Sequence, residues 1–169
     1  MKWALLIAAI LVGLMALVAI IGSLLPKKHQ ASLSARFKQS PETVWRDVTD
    51  HEGALKWRTD LKAVERLPDR DGHPVWKEID RSGQSLPLET VEAIPPRKLV
   101  RRIGPGLPFG GTWTFDIRPV EGGCSLTITE DGEVYNPIFR FFSRFMDQTA
   151  TIRGYLRAMG KKYGEETGL

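Results

Sequence analysis

Three ionisable side chains on predicted strands, Glu78, Arg101 and Glu130, are the residues of this chain that could do acid/base chemistry. A carboxyl group in a closed cavity can exchange protons near neutral pH, because burial and neighbouring charges shift its pKa. Strand alternation puts Glu130 on the face of Leu126 and Ile128. We therefore expect Glu130 either to pair with a base such as Arg101 or to lie in a pocket with a raised pKa.

Nucleophilic and metal chemistry are not favoured by the remaining residues. Cys124 follows a glycine hairpin and has no histidine nearby in sequence to activate it, so no catalytic residue is assigned. A single cysteine also excludes a disulfide framework and a multi-cysteine metal site. His29, His51 and His73 lack the spacing of metal ligands, and we expect neither a metal nor a cofactor.

The glycine- and proline-rich loop at residues 104–111 does not resemble a phosphate-binding loop. Its two prolines have no N–H to donate, and no Gly-Lys-Ser/Thr ending follows. Leu107 and Phe109 give it apolar tips, so the loop is expected to line the mouth of a cavity or to touch a membrane. The net charge of +4, without a basic run interleaved with aromatics, does not favour nucleic-acid binding.

These candidates need elements to position them, and the longest is a helix predicted over residues 137–163. Asn136 and Pro137 mark its start as N-cap and first helical residue. One face is an apolar stripe, which requires a partner surface roughly 40 Å long at about 1.5 Å per residue. The opposite flank is expected to be solvated. The stripe consists of Ile138, Phe142, Phe145, Thr149, Ile152, Leu156, Met159 and Tyr163, and the flank carries Arg140, Arg144, Lys161 and Lys162.

The N-terminal segment, residues 3–25, contains no charge and is long enough to cross a hydrocarbon core of about 30 Å. We interpret residues 1–25 as a single-pass anchor, in a bacterial inner membrane, and residues 26–30 as a linker. A cleaved signal peptide is the alternative, although its apolar region spans only about 7–15 residues. The charges on both sides leave the side of the membrane open.

Residues 31–169 are predicted to form one α+β domain. Alternating apolar residues and turn signals predict a first strand, then two short helices after Ser40-Pro41, then about six closely spaced strands before the long helix. An antiparallel sheet of six or seven strands with one apolar face twists and curls around such a helix. This helix-grip arrangement is expected to leave a cavity between the sheet and the helix.

Four segments along the chain, taken together, carry a family resemblance: residues 40–45 (SPETVW), 94–100 (IPPRKLV), 110–115 (GGTWTF) and 128–137 (ITEDGEVYNP). In this order they resemble the SRPBCC superfamily, the START-like fold, within its polyketide cyclase/dehydrase and lipid transport branch. The resemblance covers about residues 31–163 and implies the helix-grip fold. It does not imply one function, because members of the superfamily bind lipids, sterols, polyketides, hormones or quinones and only some catalyse reactions.

We hypothesise that the cavity binds a hydrophobic small molecule of the lipid, isoprenoid or quinone class beside a membrane. An enzyme that acts like a polyketide cyclase or dehydratase is an alternative, although the residues of the sequence do not favour catalysis. A structural or partner-binding module with a filled cavity is a third. Ligand identity, protein partners and oligomeric state stay open. The candidate ligand-binding residues are Trp76, Glu78, Trp113, Phe115, Glu130, Phe142, Phe145, Thr149, Ile152 and Leu156.

Overall fold

A single antiparallel sheet of seven strands organises the domain, in a computed structural model that describes residues 2–169. Met1, which the predicted anchor includes, lies outside the described residues. The strands are β1 (Lys28–Phe37), β2 (Leu61–Arg70), β3 (His73–Asp80), β4 (Ser85–Ile94), β5 (Lys98–Ile103), β6 (Phe109–Val120) and β7 (Gly123–Val134). Their order across the sheet is β1-β7-β6-β5-β4-β3-β2. The first two strands in sequence are therefore the two edges.

The helical elements are α1 (Lys2–Leu24), α2 (Pro41–Thr49), a 3-10 helix (Gly53–Lys56), α3 (Pro137–Ser143) and α4 (Ala150–Tyr163). The two elements between β1 and β2 connect the edge strands, α2 and α4 cover one face of the sheet, and α1 packs on α3. Ser40 caps α2 as predicted, because its hydroxyl accepts a hydrogen bond from the Thr43 amide. The helix-grip prediction is confirmed, and β1 begins at Lys28, inside the segment expected to be a linker.

The predicted helix of residues 137–163 is divided in two, which corrects the prediction of one continuous element. Asp147 is the cause, because its Oδ1 accepts hydrogen bonds from the amide (2.9 Å) and hydroxyl (2.6 Å) of Thr149. Its Oδ2 accepts a hydrogen bond from Arg153 at 2.5 Å. These bonds lower the pKa of Asp147 to about 2. A short acidic side chain that captures nearby N–H groups competes with the helix backbone and starts a new helix.

Only the second half of the predicted stripe is buried in the core. Ile152, Leu156 and Met159 are fully buried within the cluster formed by the sheet and α2. Phe142 and Phe145 are 51% and 78% exposed. The stripe loses its partner because the chain turns away from the sheet at residues 144–149, and α3 packs on α1 instead.

Arg140, which the sequence placed on a solvated flank, is 3% exposed. Its Nε donates to the Val134 carbonyl at 2.9 Å, and its Nη2 donates to Tyr135 at 3.0 Å. Its Nη1 donates to the carbonyls of Gly22 and Leu25, at 3.1 and 3.3 Å. The guanidinium thus satisfies carbonyls that the end of α1 leaves free, and it ties α1 to α3.

The contact between α1 and α3 depends on a glycine, which gives a first prediction. A Cβ at Gly22 would lie 1.9 Å from the Pro137 carbonyl oxygen, whereas a Cβ at Gly13 meets no atom within 4 Å. Gly22→Val should therefore separate α3 from α1, because neither backbone can occupy that space. Hydrogen exchange of the full chain in detergent should show faster exchange in α3 and unchanged exchange in the sheet.

Gly13→Val, in the same helix, is the matched control and should leave the exchange of α3 unchanged. Equal protection of α3 in both variants would contradict the packing described here.

Candidate functional site

The register of three neighbouring strands places three candidate functional side chains in one row across the concave face. Glu130 of β7 pairs with Trp113 of β6, and Trp113 pairs with Arg101 of β5. The next row toward the core pairs Ile128 with Phe115 and Phe115 with Leu99. Polar groups therefore lie directly beside the apolar core, on the face that the helices cover. The predicted parity of Glu130 agrees with this register.

A cavity of about 380 Å³ opens over this row, between the sheet and α4. Its volume lies in the range of pockets that bind small molecules. Its wall combines aliphatic and aromatic side chains with four carboxylates, one of which is Glu130, and two arginines. The lining residues are Arg58, Asp60, Leu61, Glu78, Asp80, Gln84, Leu86, Leu88, Arg101, Ile103, Phe109, Trp113, Phe115, Glu130, Thr151 and Tyr155.

Arg58 is neutralised within the cavity by two carboxylates. Its guanidinium lies 2.7 Å from Glu78 and 2.5 Å from Asp60, and Glu78 is only 6% exposed. Burial opposes the charge on Arg58, but Glu78 and Asp60 outweigh it and raise its pKa further. The guanidinium also lies 5.2 Å from the centre of the Tyr155 ring. This group is a satisfied network, because each charge has a close partner of opposite sign.

Arg101 is buried without such a partner. It is 4% exposed, and among residues 2–169 no carboxylate lies within ion-pair distance. Its Nη2 donates to the Val48 carbonyl and lies 3.4 Å from His51 Nε2, while its Nε is buried without a hydrogen-bond partner. Burial lowers its pKa. A buried guanidinium with a spare donor is a site for an acceptor oxygen from outside the chain.

His51 is the ionisable side chain next to Arg101, but it does not balance the positive charge of the guanidinium. Its ring stacks on Trp76 with centroids 4.7 Å apart and planes 10° apart. Burial, with the positive charges of Arg101 and Arg66, lowers the pKa of His51 to about 3. The imidazole is therefore neutral at physiological pH.

Glu130 occupies the opposite end of the polar row. Its carboxylate lies 3.6 Å from His29 Nε2, and both side chains are about one-fifth exposed. Burial raises the pKa of Glu130, although His29 opposes the shift. The two alternatives for Glu130 thus combine, because it lies in the pocket and its nearest base is His29 rather than Arg101. A carboxyl group of this kind can hold a proton or donate it to a ligand.

The structure brings four of the ten predicted ligand-binding residues to the cavity: Glu78, Trp113, Phe115 and Glu130. The other six do not line it. Trp76 is on the same face but covered by His51. Ile152 and Leu156 are core residues, Phe142 and Phe145 are exposed, and Thr149 is hydrogen-bonded to Asp147 where α4 begins.

Residues of the site that the sequence did not single out include Tyr155 and Thr151 of α4, and Arg58. Tyr155 and Thr151 are four residues apart and each lies one position before the predicted stripe, so the cavity faces the edge of that stripe. The helical spacing of Thr151 and Tyr155 could therefore have been recognised in the sequence. No sequence pattern predicts that Arg58 reaches the cavity, because its position follows from how the 3-10 helix ends.

Comparison with known proteins supports the fold. The family model described as polyketide cyclase/dehydrase and lipid transport matches residues 28–161, which confirms the resemblance noted above. No curated protein matches the chain significantly. Solved structures with similar folds come from several bacteria, and their low sequence identities extend the likeness to the fold alone.

Three of these structures illustrate the degree of structural similarity and of sequence identity. A START superfamily protein from Mycobacterium smegmatis has a TM-score of 0.61 at 20% identity, over 80% of this chain and 97% of that one. The Zhui aromatase/cyclase from Streptomyces sp. R1128 has a TM-score of 0.65 at 14% identity, over 81% and 94%. A Rhizobium loti protein has a TM-score of 0.59 at 24% identity, over 79% and 96%.

The neutral state of the half-buried His51 predicts a pH dependence of stability. Its pKa is about 3 in the folded chain and 6.5 when unfolded. The unfolded chain therefore binds the extra proton below pH 6.5, and the free energy of unfolding falls as the pH decreases toward 3. The slope from this residue is at most about 1.4 kcal/mol per pH unit. Urea unfolding of His51→Gln should lack this component.

His73→Gln, at the start of β3, is the control and should retain the slope of the unmodified chain. Identical slopes in the His51 variant and the unmodified chain would show that His51 protonates without cost.

Proposed function

We propose that this chain, which belongs to the polyketide cyclase/dehydrase and lipid transport family, binds a hydrophobic small molecule with one oxygen-rich end. The observation that carries the proposal is Arg101, a buried guanidinium that faces the cavity with no carboxylate partner among the described residues. The oxygen end of the ligand would occupy the space beside Arg101. The apolar body would lie along Leu88, Ile103 and Phe109.

The energetics favour an amphipathic ligand over a purely apolar one. Burial of about 200–300 Å² of apolar surface contributes about 5–8 kcal/mol before the costs of association. A hydrogen bond from a charged donor adds about 1.5–3 kcal/mol. A hydrocarbon without an acceptor would leave the guanidinium unsatisfied in a closed space, so lipid, isoprenoid and quinone molecules with carboxylate or carbonyl groups fit best.

We also propose that α1 anchors the domain in a membrane. This helix has 23 residues and is long and apolar enough to cross a bilayer. A cleaved signal sequence would satisfy the same length and composition. The anchor is favoured because Arg140, buried in the domain, donates hydrogen bonds to Gly22 and Leu25. Cleavage would leave the donors of Arg140 without these partners.

Native mass spectrometry of the full chain extracted in detergent tests the binding function. A co-purifying apolar molecule is expected, and Leu88→Trp should abolish it because the indole occupies the cavity. Leu55→Trp is the matched control, since Leu55 is 41% exposed on the 3-10 helix. Ligand retained by the Leu88 variant, or none bound by the unmodified chain, would contradict the proposal.

Arg101→Met separates the polar contribution from the apolar one. The unmodified chain should bind decanoate at least about tenfold more tightly than decanol, and the variant should lose this preference while still binding decanol. Isothermal titration of the two ligands measures both values. The free energy of unfolding should not fall by more than about 1 kcal/mol, because the change removes a buried charge without an ion-pair partner.

A second function, acid/base catalysis on a polyketide-like substrate, is favoured by one observation. Glu78, Arg101 and Glu130 all line the cavity, and the pKa of Glu130 is raised. Under this hypothesis the Glu78 carboxylate takes the α-proton of the substrate and Arg101 stabilises the resulting enolate. Protonated Glu130 donates its proton to the hydroxyl group, which leaves as water when its C–O bond breaks. Cyclisation or dehydration of a reactive poly-β-carbonyl compound should then be lost in Glu130→Gln but not in Leu55→Trp. A rate equal to that in buffer for the unmodified chain would exclude this function.

The third hypothesis, a structural or partner-binding module, requires side chains to fill the space between the sheet and α4. The cavity of about 380 Å³ is an observation against this hypothesis.

A further inference from the structure

Helix α3 and the turn that follows it expose four large apolar side chains on one end of the molecule. Exposed fractions are 41% for Phe139, 51% for Phe142, 78% for Phe145 and 59% for Met146. We call these four residues the α3 apolar surface. Single exposed apolar residues are ordinary, but aromatic side chains clustered within eight positions mark a surface with a partner.

The α3 apolar surface is attached firmly to the end of α1. Val18, Ala19, Gly22 and Leu25 are the partly or fully buried positions of this region, and their spacing defines one helical face. Gly22 lies against the backbone of Pro137, and Arg140 bonds to the carbonyls of Gly22 and Leu25. The position of α3 relative to α1 is therefore fixed.

This attachment determines the depth of α3, given the proposed membrane anchor on which this inference rests. A helix of 23 residues is about 35 Å long, slightly more than the hydrocarbon thickness of about 30 Å. The last turn of α1 would thus lie where acyl chains meet headgroups. Because α3 packs on this turn at Gly22, its aromatic side chains lie at the same level, where Phe-rich amphipathic helices bind lipid.

Charges around the α3 apolar surface match an anionic headgroup layer. Lys27, Lys28 and Arg144 are exposed at this end. Asp147, in the turn that follows α3, is paired with Arg153 at 2.5 Å. Lys28 lies 3.5 Å from Glu133 but is 81% exposed, which leaves it accessible to lipid. Each exposed basic residue beside an anionic leaflet contributes about 1 kcal/mol of attraction.

We propose that the α3 apolar surface is a second membrane-contact element, which inserts at the boundary between headgroups and acyl chains of the bilayer that α1 spans. Together α1 and α3 fix the orientation of the domain. The end of the sheet where Phe109 pairs with Val134 then faces the bilayer. Phe109 and Glu130 both line the cavity near this end, so an apolar ligand can pass between bilayer and cavity without crossing the far side of the domain.

Site-directed fluorescence labelling of the full chain in vesicles tests the proposal. The vesicles contain phosphatidylcholine and phosphatidylglycerol, with brominated acyl chains as the lipid quencher and iodide as the aqueous quencher. Single cysteines replace Phe142, Phe145, Leu11 or Glu121 and carry bimane, since the native Cys124 is fully buried. Leu11 reports the anchor. Glu121 is exposed in the turn at the far end of β7, roughly 35 Å away at about 3.3 Å per residue.

Labels at Phe142, Phe145 and Leu11 should lose emission to brominated lipid and be shielded from iodide, whereas Glu121 should show the reverse. Quenching of Phe142 and Phe145 by iodide while Leu11 is quenched by lipid would overturn this proposal and leave the anchor intact. Failure of lipid to quench Leu11 would overturn the anchor and this proposal together. Shielding of Phe145 from both quenchers, with cross-linking between chains, would assign the surface to a second copy instead.

Discussion

The pairing of β5, β6 and β7 is the constraint from which the site follows. It fixes Glu130, Trp113 and Arg101 in one row on the concave face, which the helices cover. Because strand register also fixes the alternation of every other residue, none of the three can turn to solvent without reversing the core positions Phe115 and Ile128. The polar row is thus held in place by the same ladders that build the core. A cavity next to it is the arrangement that avoids burying the row against apolar side chains.

The sequence predicted those features that depend on local periodicity. Alternating residues and turn signals located the strands, and parity placed Glu130 on the inner face. The capping residues Ser40 and Asn136 marked two helix starts correctly, because their side chains act within three residues of their own position. These interactions are local, so one stretch of sequence contains all the information.

Failures of the sequence prediction involve competition between local and distant partners. The apolar stripe of residues 137–163 has helical spacing throughout, yet Asp147 captures the Thr149 amide and interrupts it. Arg140 has the sequence position of a surface residue on its helix. It is buried because it hydrogen-bonds to carbonyls at the end of α1, which lies more than a hundred residues earlier. Arg58 joins the cavity through ion pairs with Glu78 and Asp60. Sequence periodicity cannot predict contacts between residues that are far apart in the chain and meet only when it folds.

A comparison of the two buried arginines separates a structural role from a proposed functional one. Arg140 donates to four backbone carbonyls, so its desolvation is offset by groups of the fold itself. Arg101 has one carbonyl, a neutral imidazole and an unpartnered Nε, and it faces an open cavity. Stability alone would favour an apolar side chain of similar volume at the second position, because an uncompensated buried charge is costly. The proposed ligand would supply the oxygen that compensates this charge. The same reasoning links the cavity to the proposed membrane anchor, since molecules with an apolar body and an oxygen end concentrate in a bilayer, and the proposed membrane contacts of α1 and α3 would hold the cavity beside it.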